Sequence, residues 1–249
     1  MTTSKITSSE QNSIVKGYNE NMTLILAIEG RDCLITLTDS REQFNSVMKD
    51  NALKMLKLSD TVTIMTSGAS ETINALLDKA KPRIQGKRTI SSVVDELRKS
   101  FISSYADWYK GFNHTSLNDN KQLIWPVGVF LVVGYDVDSS PKIYVLQSVM
   151  NFSPQLMQDY GAGGMPQYSQ YLLSRLYKKD TPLKQLIELG VFVMNETMTQ
   201  EASVGGPIKA VWMKKDGTSG EYSETELAEI TEKNNIRFDE LRESFYKKT

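Results

Sequence analysis

Apolar residues change their period several times along the chain, and each change marks an element. Met22-Thr-Leu-Ile-Leu-Ala-Ile28 and Cys33-Leu-Ile-Thr-Leu-Thr-Asp39 are near-continuous apolar runs of strand length on either side of Glu29-Gly-Arg-Asp32, so they read as a buried hairpin. A second pair follows at 52–58 and 61–67, joined by a tight turn at Ser59-Asp60. In the first of these strands Lys54 and Leu56 share one face, while Leu53, Met55 and Lys57 share the other. After Gly68 the spacing shifts to three and four. Ser70 is placed to cap a helix carrying Ile73, Leu76, Leu77 and Ala80, which Pro82 should stop. Val94, Leu97, Phe101, Tyr105 and Trp108 define a longer helix over 91–109, with the two last aromatics as core anchors.

Strand patterns return at 126–135 and 142–147, linked by a turn over 136–141. Gly161-Ala-Gly-Gly164 reads as a loop leading into helices over about 166–177 and 183–198. The chain then gives a strand at 208–213, a turn at Lys215-Asp-Gly217 and a terminal amphipathic helix. Residues 221–249 hold eight acids against five bases, which assigns that helix to the surface. Neither consecutive βαβ units nor an internal repeat occurs. Hairpins that send helices off in pairs predict an α+β fold, a four-layer αββα sandwich occupying 23–249 as one domain. Residues 1–22, rich in Ser, Thr and Asn without sustained periodicity, read as a flexible leader or pro-segment.

Composition narrows the chemistry. The 249 residues include one cysteine, Cys33, and one histidine, His114, so an internal disulfide and a multi-imidazole catalytic zinc site are both excluded. A serine or cysteine triad would have to run through His114, in the polar stretch 111–120, where a solvated loop histidine is the ordinary reading. With 29 basic and 30 acidic residues, the chain offers no general footprint for nucleic acid or an anionic membrane. The basic cluster Lys79, Lys81, Arg83, Lys87 and Arg88 reads as a solvated loop between helices. No run of about 18 apolar residues and no apolar segment near the start is present, so the expectation is a cytoplasmic protein without a membrane span. The sequons at Asn21, Asn113 and Asn195 then count as chance matches, and no cofactor or metal is expected.

An α-amine is the alternative to histidine as a proton acceptor, because its unperturbed pKa of about 7.7 to 8.0 lies near cellular pH. A terminal threonine carries its own hydroxyl beside such an amine, and Thr23 opens the first strand after the leader. Asp39-Ser40-Arg41 ends the hairpin partner of that strand, so a carboxylate falls near Thr23. Lys54 opens the next strand, and the backbone N–H of Gly68 is a candidate oxyanion donor.

At this point the pattern resembles the proteasome family of N-terminal nucleophile hydrolases. The resemblance runs from Thr23 to about Gly217, through Thr23-Leu-Ile-Leu-Ala-Ile-Glu-Gly-Arg-Asp, Asp39-Ser-Arg, Lys54-Met-Leu-Lys-Leu-Ser-Asp and Thr66-Ser-Gly-Ala. It continues through Val133-Val-Gly-Tyr-Asp, Gly161-Ala-Gly-Gly and Val204-Gly-Gly-Pro-Ile. The strings look most like the proteasome-like proteins of prokaryotes outside the main α and β subunit types. The resemblance implies Thr23 as nucleophile after loss of residues 1–22, Asp39 and Lys54 as its activating pair, and Gly68 as the oxyanion glycine. It also implies supporting roles for Arg41, Glu201 and Gly163. Implied partners are a peptide or protein substrate, copies of the chain in stacked rings, and a regulatory ATPase. Four departures accompany it: Lys54 stands one place closer to Thr23 than in the usual spacing, Ala162 and Val204 replace serines, and Met22 replaces the glycine of self-cleaving members. Met22, Ala162 and Val204 favour the alternative of a catalytically inactive, α-subunit-like ring or scaffold component. Ligation or transfer through the same Thr23 is a third reading.

Overall fold

The computed structural model describes residues 23–44, 47–59, 61–108 and 127–246. His114, the leader and two of the sequons, Asn21 and Asn113, lie outside the described residues. Twelve strands are described: β1 (Leu24–Glu29), β2 (Cys33–Thr38), β3 (Glu42–Phe44), β4 (Val47–Lys49), β5 (Met55–Ser59), β6 (Val62–Gly68), β7 (Gly128–Tyr135), β8 (Pro141–Gln147), β9 (Gln155–Met157), β10 (Tyr160–Gly164), β11 (Lys209–Lys214) and β12 (Ser219–Glu221). The helices are α1 (Ser70–Ile84), α2 (Ile90–Trp108), α3 (Pro166–Leu176), α4 (Leu183–Gln200) and α5 (Glu224–Ser244).

Strand alternation builds the layers. In β1, Leu24, Leu26 and Ile28 join Leu186, Ile187, Val191 and Met194 of α4 in one apolar cluster. The intervening Ile25 and Ala27 join Leu131, Val133, Ile143 and Val145 in another. In β7 the same period of two sends Leu131 and Val133 inward, while Phe130 and Val132 pack with Leu76 of α1 and Leu97 and Phe101 of α2. A strand apolar on both faces must be covered on both, which explains the unbroken apolar runs. The result is two antiparallel five-stranded sheets, ordered β10-β1-β2-β11-β12 and β5-β6-β7-β8-β9, face to face with helices outside each. Helices α1 and α2 cover the second sheet, and α3 and α4 cover the first, giving four layers, αββα. Each fully buried Leu, Ile or Phe contributes roughly 1.5–3 kcal/mol through removal from water.

Three local expectations are corrected. Helix α1 does not stop at Pro82 but continues to Ile84, so Lys79, Lys81 and Arg83 belong to its last turns rather than to a loop. So near the C-terminus proline forfeits only its own bond to the Asp78 carbonyl, and the packing of Ile84, 9% exposed, holds the turn. Ser70 is not the cap: Ala69 is, and the Ser70 hydroxyl donates instead to Glu42 Oε1. The terminal helix begins at Glu224, behind a capping box in which Ser223 and Glu226 satisfy each other's backbone amides. Gly161–Gly164 is not a loop but part of β10, paired antiparallel with β1 from Leu24↔Gly164 to Ile28↔Tyr160. Its glycines answer a close approach of the sheets: a Cβ on Gly161 would lie 2.8 Å from Ile143 Cγ2, and one on Gly163 2.8 Å from Val129 Cγ1.

Helix α5 lies on α4. Glu188 of α4 is only 7% exposed, and its carboxylate meets Lys233 and, at 2.8 Å, Arg237 of α5. Burial alone would raise its pKa, but the two cations bring it below the ordinary glutamate value. A carboxylate depressed in the folded state stabilises above its unfolded pKa of about 4.3 and loses that contribution as pH falls through the folded value. Glu188→Gln is therefore expected to cost about 1 kcal/mol near pH 7, both cations being half exposed. Urea unfolding at pH 7 and at pH 3 checks this, the difference from wild type shrinking at the lower pH. Asn195, in the middle of α4, gives its amide to Thr231 of α5 at 3.0 Å. Beyond Asn234 the exposed face of α5 carries Ile236, Phe238 and Leu241, followed by Phe245 and Tyr246, all more than 40% exposed. No described helix is long and apolar enough to cross a membrane.

Candidate active site

Antiparallel pairing collects the start of β1, the end of β2 and the end of β10 at one end of the first sheet. The start of β5 and the end of β6 meet them there across the sandwich, through Lys54. Thr23, 4% exposed, precedes β1, and its carbonyl accepts from the Met165 amide at 2.9 Å. Gly164 lies beside it with φ +81°, and a Cβ there would fall 1.8 Å from the Thr23 carbonyl oxygen. Only glycine meets both the left-handed backbone and that approach.

Asp39 is fully buried and accepts at every side. Its Oδ1 takes the Leu24 amide and the Lys54 ammonium, each at 3.0 Å. Its Oδ2 takes the amides of Arg41 at 3.2 Å and Gly205 at 3.1 Å. Three backbone donors and one cation thus fix a carboxylate with no access to water, the arrangement such burial requires. Lys54 is also nearly buried, and its ammonium donates to the Thr23 hydroxyl and to the Arg41 carbonyl as well as to Asp39. Burial pushes this ammonium below the ordinary lysine value, against the upward pull of Asp39, Glu42 and Asp50. The Lys54 carbonyl keeps ladder geometry by accepting from the Thr66 amide at 2.8 Å, although β5 begins one residue later.

Gly68 ends β6 with φ +125°, where a side chain would strike the Val127 carbonyl at 2.0 Å. It lines a cleft of about 320 Å³ together with Thr23, Arg41, Lys54, Ser67 and Ile73, among others. Arg41 clasps Asp50 through Nε at 2.9 Å and an Nη at 3.2 Å and reaches the Ala202 carbonyl at 2.9 Å. That pairing raises the Arg41 pKa and lowers that of Asp50.

Thr23, Asp39, Lys54, Arg41 and Gly68 therefore converge, whereas two residues expected to support them do not. Gly163 lies opposite Ile25 and packs against Val129, between the sheets. Glu201 is the C-terminal cap of α4, and among the described residues no hydrogen bond joins its side chain to Thr23, Asp39 or Lys54. Ala162 and Val204, which stand where hydroxyls were expected near the nucleophile, both sit in the apolar cluster under α4. Residues adjoining Thr23 that the sequence did not single out are Gly164, Met165 and Ser67, whose Oγ lies 2.8 Å from where a Gly164 Cβ would be. The Gly205 amide was also missed, although Gly205-Gly-Pro after a helix was a visible turn signal. Among the described residues no three histidine, cysteine or acidic side chains converge as ion ligands.

The proteasome subunit family model matches residues 20–213, and the chain belongs to that family. A solved structure described as the helical assembly of the Anbu complex from Pseudomonas aeruginosa superposes with a TM-score of 0.72 at 17% identity, covering 91% of this chain and 97% of that one. At that identity the likeness bears on the fold, which is the four-layer sandwich derived above. No curated protein matches the chain in sequence.

Proposed function

We propose that the chain is a threonine-type peptidase or amidase acting through Thr23 once the Met22–Thr23 bond has been cut. One observation carries the reading: the Lys54 ammonium sits on the Thr23 hydroxyl while held by Asp39 and the Arg41 carbonyl, at the wall of a cleft. Cleavage before Thr23 converts an amide nitrogen, which has no basic lone pair, into an α-amine with a pKa near 7.7–8.0. The amine takes the hydroxyl proton as Oγ1 bonds the substrate carbonyl carbon, and the carbonyl electron pair moves onto its oxygen beside the Gly68 amide. Collapse breaks the C–N bond, the leaving nitrogen takes the proton from the Thr23 ammonium, and an ester remains on Oγ1. Water then adds with its proton going to the amine, the C–O ester bond breaks, and Oγ1 recovers the proton. Lys54 contributes positive charge where Oγ1 loses its proton, and Asp39 keeps that charge in place.

An epoxyketone or β-lactone probe tests this on protein with Thr23 exposed. Wild type is expected to be labelled at Thr23, and Thr23→Ala to remain unlabelled. Protein from its own host that keeps residues 1–22 intact by mass and N-terminal sequencing overturns the reading.

A second reading, an inactive ring or scaffold component, draws on Ala162 and Val204, which put no hydroxyl beside Thr23. Under either reading the chain assembles with copies of itself. The exposed Phe238, Leu241, Phe245 and Tyr246 support this, being an apolar surface that water disfavours. A 28.1 kDa monomer in size-exclusion chromatography would count against it.

A further inference from the structure

The cleft beside Thr23 has an uneven charge inventory. Its charged lining residues are Arg41, Glu42 and Lys54. Both cations are already matched. Arg41 is clasped by Asp50 and the Ala202 carbonyl, and Lys54 is held by Asp39, the Thr23 hydroxyl and the Arg41 carbonyl. Glu42, the first residue of β3, stands opposite Lys49 of β4, but no described cation comes within ion-pair distance of its carboxylate. Its Oε1 accepts from the neutral Ser70 hydroxyl, and Oε2 accepts no hydrogen bond among the described residues. It lines the same cleft as Thr23, and its field raises the affinity of Lys54 for a proton.

The remaining walls suit one kind of side chain. Ala52, Leu53 and Ile73 give an apolar lining for a methylene stem, and Asn74 adds a neutral polar side chain to the wall. A long aliphatic stem ending in a cation fills such a cleft and supplies the partner that Glu42 lacks. An acidic side chain would be repelled by the Glu42 carboxylate, and a purely apolar one would offer it no partner. From these observations we infer that the cleft takes a lysine or arginine side chain of the substrate residue whose carbonyl Thr23 attacks. Glu42 is its specificity-determining residue, and the inference rests on the Thr23 reading.

The test compares peptidyl coumarylamides ending in Arg, Lys, Leu or Glu on protein with Thr23 exposed. Wild type is expected to favour Arg and Lys over Leu, and Glu42→Gln to reduce the Arg-to-Leu ratio of kcat/KM about tenfold or more, the value of one charge-assisted hydrogen bond. Glu42→Lys should turn the preference toward Glu, and Glu42→Asp should retain part of the basic preference. A Leu preference in wild type, or an Arg-to-Leu ratio unmoved by Glu42→Gln, overturns the inference while leaving the Thr23 reading intact. A second measurement needs no chemistry: fluorescence anisotropy of labelled Arg-ending and Leu-ending peptide amides on Thr23→Ala protein. Tighter binding of the Arg peptide, lost in the double variant with Glu42→Gln, supports the pocket even if no probe ever labels Thr23. Equal affinities overturn it.

Discussion

Lys54→Met is expected to lower the rate of probe labelling and of turnover by about 10²–10³-fold, the loss typical of removing one preorganised electrostatic contact from an active site. The substitution keeps an unbranched stem of similar length and removes only the ammonium, which touches Thr23, Asp39 and Arg41 at once. The chain should stay folded, because Asp39 retains three backbone donors, from Leu24, Arg41 and Gly205. Circular dichroism and a urea midpoint establish that, and labelling kinetics give the rate. Lys54→Arg should fail similarly, since a planar fork cannot make three contacts from one nitrogen. A labelling rate within tenfold of wild type for Lys54→Met would remove Lys54 from the activating role.

Asp39→Asn is expected to have the largest effect on stability, a loss of about 3–5 kcal/mol. The side chain is isosteric and fully buried, so nothing is gained or lost in packing. The loss comes from donors without acceptors. Turned one way, the new NH₂ faces the Leu24 amide and the Lys54 ammonium; turned the other, it faces the amides of Arg41 and Gly205. Both orientations set donor against donor, and both leave the Lys54 cation without a carboxylate. Urea unfolding of the two proteins measures it, and a loss below about 1 kcal/mol would contradict the geometry. Activity would fall as well, but the stability change does not depend on whether the leader is cut.

Much of the candidate site could be read along the chain because its members sit at ends of elements that local pattern defines. Thr23 precedes β1, Asp39 follows β2, Lys54 precedes β5 and Gly68 closes β6, so hairpin geometry alone brings the first two together. Joining Lys54 to them took the resemblance as well, because sequence period says nothing about which end of one sheet faces which end of another. The supporting residues were misplaced for a related reason. A run of glycines was read as a turn, but β10 uses Gly161 and Gly163 to let the sheets approach, a requirement set by Ile143, Leu131 and Val129 on other strands. Pro82 was read as a stop by a local rule, and the rule gave way to the packing of Ile84.

By itself the sequence determined the helices, strands β1, β2, β5, β6, β7, β8 and β11, the burial of both faces of the central strands, and Thr23 with Asp39 as neighbours at one sheet end, while β3, β4, β9, β10 and β12 emerged only in the fold. It also excluded an internal disulfide and a multi-imidazole zinc site through its counts of one. The tertiary structure alone decided that Lys54 bridges Thr23 and Asp39, that Gly205 and not Glu201 supports the carboxylate, and that Arg41 is taken by Asp50 while Glu42 is left to Ser70. Period and propensity act between residues a few positions apart, whereas charge matching and close approach act between residues far apart in the chain, 166 positions in the case of Asp39 and Gly205. Which groups end up paired therefore follows only from the folded arrangement.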